Sequence, residues 1–469
     1  MSRKSKHIVL LIVVLGLLIG AHYYIKNRPV QHEEPQSERV TISKFDKDKL
    51  IKMTLYTDKG TLTFDKKDDE WEVDYPHEIT LNKSAVDDIA YSFASLYAES
   101  VVDEDPEDLS VYGLDNPQAT AEGELDDGEK KIFYLGNKTP AGDTYYLMAE
   151  GDPKVYVVWM NHGEHFTYEL SDVRDTKLPS IDKTDLQYLK LEKKGERTIE
   201  IRTNKGRSED EVSFGLGLWK MTMPYNEPMG VHSDNFQKML DSISPFSIKD
   251  FIDDDPQDLS DYGLEEPEIK FIFKDSENTL ELHIGKEHDD KSVYFKLPDS
   301  KAVYTLEKSR IDFMDVDPFT IVEKFAAIVH IDDVDRIVID DQGKKTEITI
   351  DRVTKKSEKD EDKEEVEETF KVNGVEMEEK PFKKYYQSLI GLMVDAENNK
   401  EPDAKADVTT TFYLNKGKDR ELVVEYVPYD NDFYIAVRGG KSEFLVSRNQ
   451  MRKMLSTLDR LKQGDSLED

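Results

Sequence analysis

One thirteen-residue stretch occurs twice in this chain, as DPEDLSVYGLDNP at residues 105–117 and as DPQDLSDYGLEEP at residues 255–267. Nine of the thirteen positions are identical, at a shift of 150 residues. Chance does not give such agreement, so the chain contains a duplicated unit. The recurring residues of the motif are Asp105, Pro106, Tyr112, Gly113, Leu114 and Pro117 in the first copy, and Asp255, Pro256, Tyr262, Gly263, Leu264 and Pro267 in the second.

The residue types of this motif predict a structural corner. Asp105 is expected to cap a short helix, with Pro106 at the first helical position, where proline loses no hydrogen bond. Gly113 suits a left-handed exit from that helix, because a Cβ would clash there. The tyrosine and leucine of the motif are expected to pack beneath the turn. The alternative is that Tyr112 and Tyr262 contact a ligand.

The similarity extends beyond the motif and defines the repeating unit. Trp71 aligns with Trp219, and Leu135-Gly136 aligns with Ile284-Gly285, at shifts of 148 to 149 residues. Alternating apolar residues predict strands on both sides of the motif, and one amphipathic helix precedes it. The predicted fold class is therefore α+β, with three tandem β-rich repeats of antiparallel sheets, each with one main helix.

The predicted repeat units cover residues 40–180, 181–325 and 326–469. The third unit lacks the Tyr-Gly-Leu motif, and its membership rests on the order of its elements. Residues 355–369 form a highly charged insertion in it, which is expected to be an exposed hairpin extension or a mobile loop, with an interaction tail as the alternative.

Helical spacing of apolar residues predicts the main helices. The first is expected to begin after a cap at Asn82 and to run through Ala98. Its counterparts are predicted at Ser233–Ile243 and Pro381–Met393. A further amphipathic helix is predicted at Arg448–Leu461.

The amino terminus predicts a membrane anchor. Three basic residues precede the apolar run from Ile8 to Ile25, which is long enough to cross a bilayer core as a helix. Residues 1–26 are interpreted as a cytoplasmic tip and transmembrane helix, residues 27–39 as a linker, and the remainder as extracytoplasmic. A cleaved signal peptide and a buried soluble helix are the alternatives. The residues that represent the anchor are Ile8, Leu11, Val14, Leu18 and Ile25.

Composition excludes several classes of protein. The net charge of −35 repels nucleic acid, so no nucleic-acid partner is expected. The absence of cysteine excludes disulfides, thiolate catalysis and cysteine-based metal sites.

No catalytic, cofactor-binding or metal-binding set of residues is predicted. The sequence contains no nucleotide-binding loop, nucleophile elbow or zinc-protease motif. His162 and His165 are interpreted as exposed loop residues without a third ligand. The acidic runs at residues 103–105 and 253–255 could hold Ca²⁺, but they lack the glycine and terminal glutamate of an EF-hand loop, and capping explains them better.

The Tyr-Gly-Leu-x-x-Pro run, the following hairpin that ends in Leu-Gly or Ile-Gly, and Tyr146 before Val155-Tyr156 resemble the bacterial domain of unknown function 4340. The pair Arg174-Asp175 is similar to another feature of that family. The resemblance implies a single-span protein of the bacterial envelope, and some such proteins look associated with transporter systems. It therefore implies an accessory role, and it carries no catalytic residues.

These observations lead to three hypotheses. The first is a membrane-anchored extracytoplasmic protein that binds or scaffolds a protein partner in an envelope or transporter-associated complex. The second is a module that binds envelope glycan or peptide through exposed aromatic residues in the grooves between the units. The third, an enzyme, is favoured least because no catalytic constellation is present.

Overall fold

The computed structural model of the chain describes residues 39–203, 217–356, 364–417 and 420–467. The predicted anchor, and all of the predicted linker except Arg39, lie outside the described residues. Across the described part of the chain, no helix combines the length and the apolar character that crossing a membrane requires. The described chain divides between Asp175 and Thr176 into two compact units.

The described residues form three nine-stranded sheets, and every strand pairing within these sheets is antiparallel. The predicted β-rich antiparallel architecture is therefore confirmed. We call each sheet with its helices a repeat. The first repeat forms the first compact unit, and the second and third repeats together form the second unit.

The strands of the first repeat are Val40–Lys44 (β1), Leu50–Thr57 (β2), Gly60–Lys67 (β3), Glu70–Val73 (β4), Ser95–Asp103 (β5), Ala119–Leu125 (β6), Lys130–Lys138 (β7), Thr144–Ala149 (β8) and Val155–Trp159 (β9). Its helices are Lys83–Ala94 (α1), Met160–Phe166 (α2) and Leu170–Val173 (α3).

The strands of the second repeat are Tyr188–Lys193 (β10), Ile199–Thr203 (β11), Trp219–Met223 (β12), Met229–Gly230 (β13), Asp250–Asp253 (β14), Ile269–Lys274 (β15), Thr279–Asp289 (β16), Ser292–Lys296 (β17) and Val303–Glu307 (β18). Its α-helices are Ser233–Ser242 (α4) and Pro318–Ile321 (α5).

The strands of the third repeat are Val334–Asp341 (β19), Lys344–Lys356 (β20), Glu364–Val372 (β21), Val375–Met377 (β22), Val394–Glu397 (β23), Val408–Leu414 (β24), Glu421–Pro428 (β25), Phe433–Arg438 (β26) and Lys441–Ser447 (β27). Its helices are Glu379–Ile390 (α6) and Arg448–Lys462 (α7). The outer ends of β20 and β21 extend into the charged stretch that was predicted as an insertion.

Eight strands follow the same order in all three sheets. In the first repeat the shared order is β4-β3-β2-β6-β7-β8-β9-β5, and in the second it is β12-β11-β10-β15-β16-β17-β18-β14. The third repeat has β21-β20-β19-β24-β25-β26-β27-β23. The main helix of each repeat thus connects one edge of the sheet to the strand near the opposite edge, and its apolar side packs on the sheet.

The cores follow the same division into units. One apolar cluster fills the first repeat between its sheet and α1, with Phe64, Phe93 and Phe166 fully buried. A second, continuous cluster runs through the second and third repeats. Because burial of apolar surface is the main stabilising term in folding, the second and third repeats are expected to depend on each other.

The predicted end of the first helix is wrong. Helix α1 begins after Asn82, whose side chain accepts hydrogen bonds from the next backbone amides as predicted, but it ends at Ala94 instead of Ala98. Residues from Ser95 onward form β5, which pairs with both β1 and β9. Pairing on both sides overrides the helical spacing of the apolar residues in this stretch. Helices α4 and α6 also end earlier than predicted, at Ser242 and Ile390.

Candidate binding site

The repeated motif forms a corner that leads from β5 in the first repeat, and from β14 in the second, to the centre of the sheet. Its short 3₁₀ turns are Leu109–Tyr112 and Leu259–Tyr262. The expected cap at Asp105 is wrong, because the side chain of Asp108 accepts from the amide of Ser110 at 2.9 Å and caps the turn. The backbone amide of Asp105 instead donates to Asp103.

The tyrosines of the corner are held by the acidic run before it. The Tyr112 hydroxyl donates to Asp103 Oδ2 at 3.0 Å, and Tyr262 donates to Asp253 Oδ2 at the same distance. The hydrogen bond to Asp103, followed by burial, raises the pKa of Tyr112. In the second repeat, burial and then the bond to Asp253 raise the pKa of Tyr262.

Ring contacts complete the two corners. The Tyr112 ring meets Tyr146 edge to face at 5.1 Å, and the Tyr262 ring meets Tyr294 in the same way at 5.1 Å. With their hydroxyls and rings already engaged, these tyrosines are parts of the scaffold.

Glycines permit the close approach that the corner requires. Gly113 and Gly263 both have φ of +70°, the left-handed conformation that favours glycine. Gly136 and Gly285 lie against the carbonyl oxygens of Tyr112 and Tyr262, so closely that an added Cβ would come within 2.2 and 2.1 Å of them. The corner therefore packs backbone against backbone.

The acidic runs have structural partners. Both carboxylate oxygens of Asp103 accept hydrogen bonds, from the Asp105 amide and the Tyr112 hydroxyl. In the part of the chain that the structure describes, no group of three or more acidic or histidine side chains is arranged to hold a metal ion.

The histidine pair differs from its prediction. His162 and His165 lie on α2, where His162 is buried, and the Nδ1 atoms of both approach the Ser92 hydroxyl, at 3.0 and 2.8 Å. Burial, and then the neighbouring His165, lower the pKa of His162 to about 4. Ser92 is completely buried, so its hydroxyl lacks the access that a nucleophile requires.

An apolar pocket in the second repeat is the strongest candidate for a binding site. Its cavity of about 330 Å³ is within the range of small-ligand sites, although at the small end. Its walls are the chain before β10, the end of α4, the loop after α4, and the β15–β16 hairpin. The apolar side chains that line it are Leu178, Pro179, Ile181, Leu186, Leu240, Ile243, Pro245, Phe246, Phe273 and Leu280.

The loop after α4 covers one side of this apolar pocket. Phe246 packs at 5.0 Å from the ring of Phe271 and at 6.2 Å from that of Phe313. Lys183 donates from Nζ to the carbonyl oxygens of Leu240 and Ile243, at the carboxyl end of the helix. The ammonium group of Lys183 is therefore engaged by the carbonyl oxygens at the end of the helix, and the interior of the pocket is lined mainly by apolar groups.

Pro245 explains why the apolar pocket belongs to the second repeat. Helix caps and motifs lie at the same spacing in the first two repeats, so Pro245 corresponds to Ser95, the first residue of β5. Proline cannot donate to a strand ladder, and the edge strand of the second repeat begins only at Asp250. The loop between them pairs with the chain before β10 only at an isolated bridge between Lys177 and Ser247, and the cavity lies against this loop.

In the first and third repeats, the side chain at the position of Ile181 packs into the core. Each repeat begins with a short 3₁₀ turn, and the residue before the N-cap of that turn is Phe45 in the first repeat, Ile181 in the second and Val329 in the third. Phe45 packs against the core of the first repeat, and its amide bonds to the carbonyl of Ala94. Val329 is completely buried in the third repeat. Ile181 instead lines the cavity.

Sequence reasoning missed this apolar pocket. The proline directly after the predicted helix was its signal, because Pro245 both ends the helix and prevents immediate strand pairing. The predicted motif residues, in contrast, lie in the corners and do not line the pocket.

The family model of the domain of unknown function (DUF4340) matches residues 71–252 and again residues 219–411. The chain belongs to this family, and the two matches begin at Trp71 and Trp219, the two tryptophans that align between the first and second repeats. No curated protein and no solved structure matches the chain.

Proposed function

We propose that this chain is a membrane-anchored, extracytoplasmic scaffolding protein of a bacterial envelope complex, which binds a protein partner through the apolar pocket of the second repeat. The anchor is the apolar run from Ile8 to Ile25. The transporter-associated role implied by the family resemblance is part of this proposal. The observation that carries it is the apolar pocket, which one repeat opens and the other two close.

The apolar pocket suits the insertion of a bulky apolar side chain from the partner. Its walls are fixed by the core, because Leu240, Phe273 and Leu280 are each at most 3% exposed. Because these walls are rigid, binding loses little conformational entropy in the side chains that line the pocket. A buried apolar anchor residue is the usual centre of a protein–protein interface.

The buried position of Ser92 supports a binding role over hydrolysis. Its hydroxyl is within hydrogen-bond distance of two histidines. An activated serine nucleophile contains the same residue types, but its hydroxyl is accessible to substrate. Both histidines have pKa values lowered chiefly by burial. A substrate has no access to the serine, so the cluster serves the packing of α2 on α1.

Site-specific photocrosslinking tests the proposal. A photoreactive phenylalanine analogue replaces Ser247, an exposed residue at the rim of the apolar pocket, in the full-length chain in its native cells. The matched control carries the analogue at Ser456, an exposed position on α7. The proposal predicts one reproducible protein adduct from position 247 that is missing from position 456. Identical adducts from both positions, or none from position 247, would overturn it.

A further inference from the structure

A second pocket lies in the first repeat, and its lining is aromatic and polar. Its cavity of about 340 Å³ is formed by the end of α1, the start of β5, and the junction of β9 with α2. Tyr91, Tyr97 and Trp159 provide its aromatic surface. We call it the aromatic pocket.

The two most exposed of these rings are not required by the fold. Tyr91 is 54% exposed and Trp159 is 41% exposed, although large aromatic side chains are usually covered. The ninth residue of the main helix is Tyr91 in the first repeat, but Asp241 and Gln387 in the other two. The same sheet and helix thus form without an aromatic residue at this position.

Trp159 shows the same difference between repeats. It is the last residue of β9 and precedes α2. The residues at the end of the corresponding strands are Glu307 and Ser447. Both exposed aromatic residues are therefore specific to the first repeat, and both line one cavity, which points to a ligand as the reason for them.

The polar lining determines the kind of ligand. Arg39 and Glu99 supply opposite charges, while Asn161 and the buried His162 supply uncharged polar groups. A strongly charged ligand would meet a like charge in this small cavity, and an entirely apolar ligand would cover Glu99 and Asn161 without offering them hydrogen-bond partners. The lining therefore selects a neutral molecule that has an apolar face and several hydroxyl groups.

We infer that the aromatic pocket binds a pyranose ring of a neutral carbohydrate. The C–H face of the sugar packs on Trp159 and Tyr91, and its hydroxyls exchange hydrogen bonds with Glu99 and Asn161. The inference is independent of the protein partner proposed for the second repeat, because it concerns a different cavity in a different compact unit.

Saturation-transfer NMR tests this inference with four neutral disaccharides: chitobiose, maltose, cellobiose and lactose. The full-length chain is kept in a polyoxyethylene detergent, since detergents with sugar headgroups would compete. At least one disaccharide is expected to receive saturation at its ring protons. Trp159→Ala is expected to weaken that binding at least about tenfold. Asn161→Ala, at an exposed position, is also expected to lower the affinity for the sugar, because it removes a hydrogen bond without removing an aromatic ring.

Tyr56→Ala is the matched control, because Tyr56 is 43% exposed on β2 of the same unit and does not line the aromatic pocket. Its affinity for the sugar is expected to equal that of the unchanged chain. The inference is overturned if no disaccharide binds at about 10 mM, if Trp159→Ala binds as well as the unchanged chain, or if choline binds through Trp159 and the sugars do not.

Discussion

Gly285 illustrates how a single residue sets the geometry of the corner. A Cβ at this position would lie 2.1 Å from the carbonyl oxygen of Tyr262, and a backbone atom cannot move away as a flexible side chain can. Gly285→Ala is therefore expected to lower the free energy of unfolding of the second unit by about 2–4 kcal/mol. Urea unfolding followed by circular dichroism measures the change.

The control for this substitution is Lys286→Ala at the adjacent exposed position, with an expected effect within about 0.5 kcal/mol. Equal stability of the glycine variant and the unchanged chain would show that the corner does not depend on close backbone packing.

His162 gives the first repeat a dependence on pH. Its pKa in the folded state, about 4, lies below the ordinary value near 6.5, because burial and then His165 disfavour the charged form. The unfolded chain therefore binds more protons between these two values, and stability falls as the pH decreases through this window. The first unit is expected to lose about 1–2 kcal/mol between pH 7 and pH 5 from this residue.

The experiment compares the unfolding free energy at pH 7 and pH 5 for the unchanged chain and His162→Asn. The substitution is expected to reduce the loss at pH 5, because Asn does not titrate there. His77→Asn at an exposed position serves as the control for the loss of a histidine. An identical pH dependence in all three proteins would contradict the assignment.

At the scale of elements, the loop between α4 and β14 forms the side of the apolar pocket. The ring of Phe246 lies among those of Phe271, Phe273 and Phe313, so the loop is fixed to the core. Phe246→Ala is expected to destabilise the second unit by about 3 kcal/mol through the cavity it creates. Urea unfolding measures this change in the free energy of unfolding. Ser247→Ala, at the adjacent exposed position, is the control. Equal stability of the two variants would show that Phe246 does not anchor the loop to the core.

The elements also show how far sequence reasoning extends. The repeated motif and the apolar alternation correctly predicted antiparallel β-rich repeats. The end of α1 was wrong, because Leu96 and Ala98 continue the helical spacing while also alternating on one face of β5. Strand β5 depends on pairing with residues distant in the sequence, which local periodicity does not reveal.

The sites were predicted less well than the fold. The corner glycine at position 113 was recognisable from its residue type and position, whereas the cap at Asp108 required knowledge of where the 3₁₀ turn begins. The two pockets each depend on residues from several separate elements. Their local signals, Pro245 and the exposed Trp159, become meaningful only when the repeats are compared position by position.

For the whole molecule, polar contacts join the second and third repeats beside their common core. Arg197 forms two hydrogen bonds with Glu397, at 2.7 and 3.1 Å, and the hydroxyl of Tyr225 donates to the same carboxylate at 2.6 Å. The ring of Tyr225 packs 4.9 Å from that of Phe444. Residues 176–469 are therefore expected to unfold in one cooperative transition.

Glu397→Ala tests this coupling, because it leaves Arg197 and Tyr225 without their acceptor. The variant is expected to unfold at a lower urea concentration, with a loss of about 1–3 kcal/mol. Asp315→Ala, which removes one of the two acidic partners of the surface residue Lys193 within the second repeat, is the control and should cost less than about 1 kcal/mol. Separate transitions for the two repeats in the unchanged chain would contradict a shared core.

A protein partner is proposed to bind in the apolar pocket of the second repeat. Ser244→Trp fills that pocket in the chain that carries the photoreactive residue at position 247, and Ser456→Trp in the same chain is the control. The adduct yield is expected to fall at least about tenfold with Ser244→Trp and to stay unchanged with Ser456→Trp, while both proteins remain folded. An undiminished adduct from the folded Ser244→Trp protein would show that the partner does not bind in this pocket.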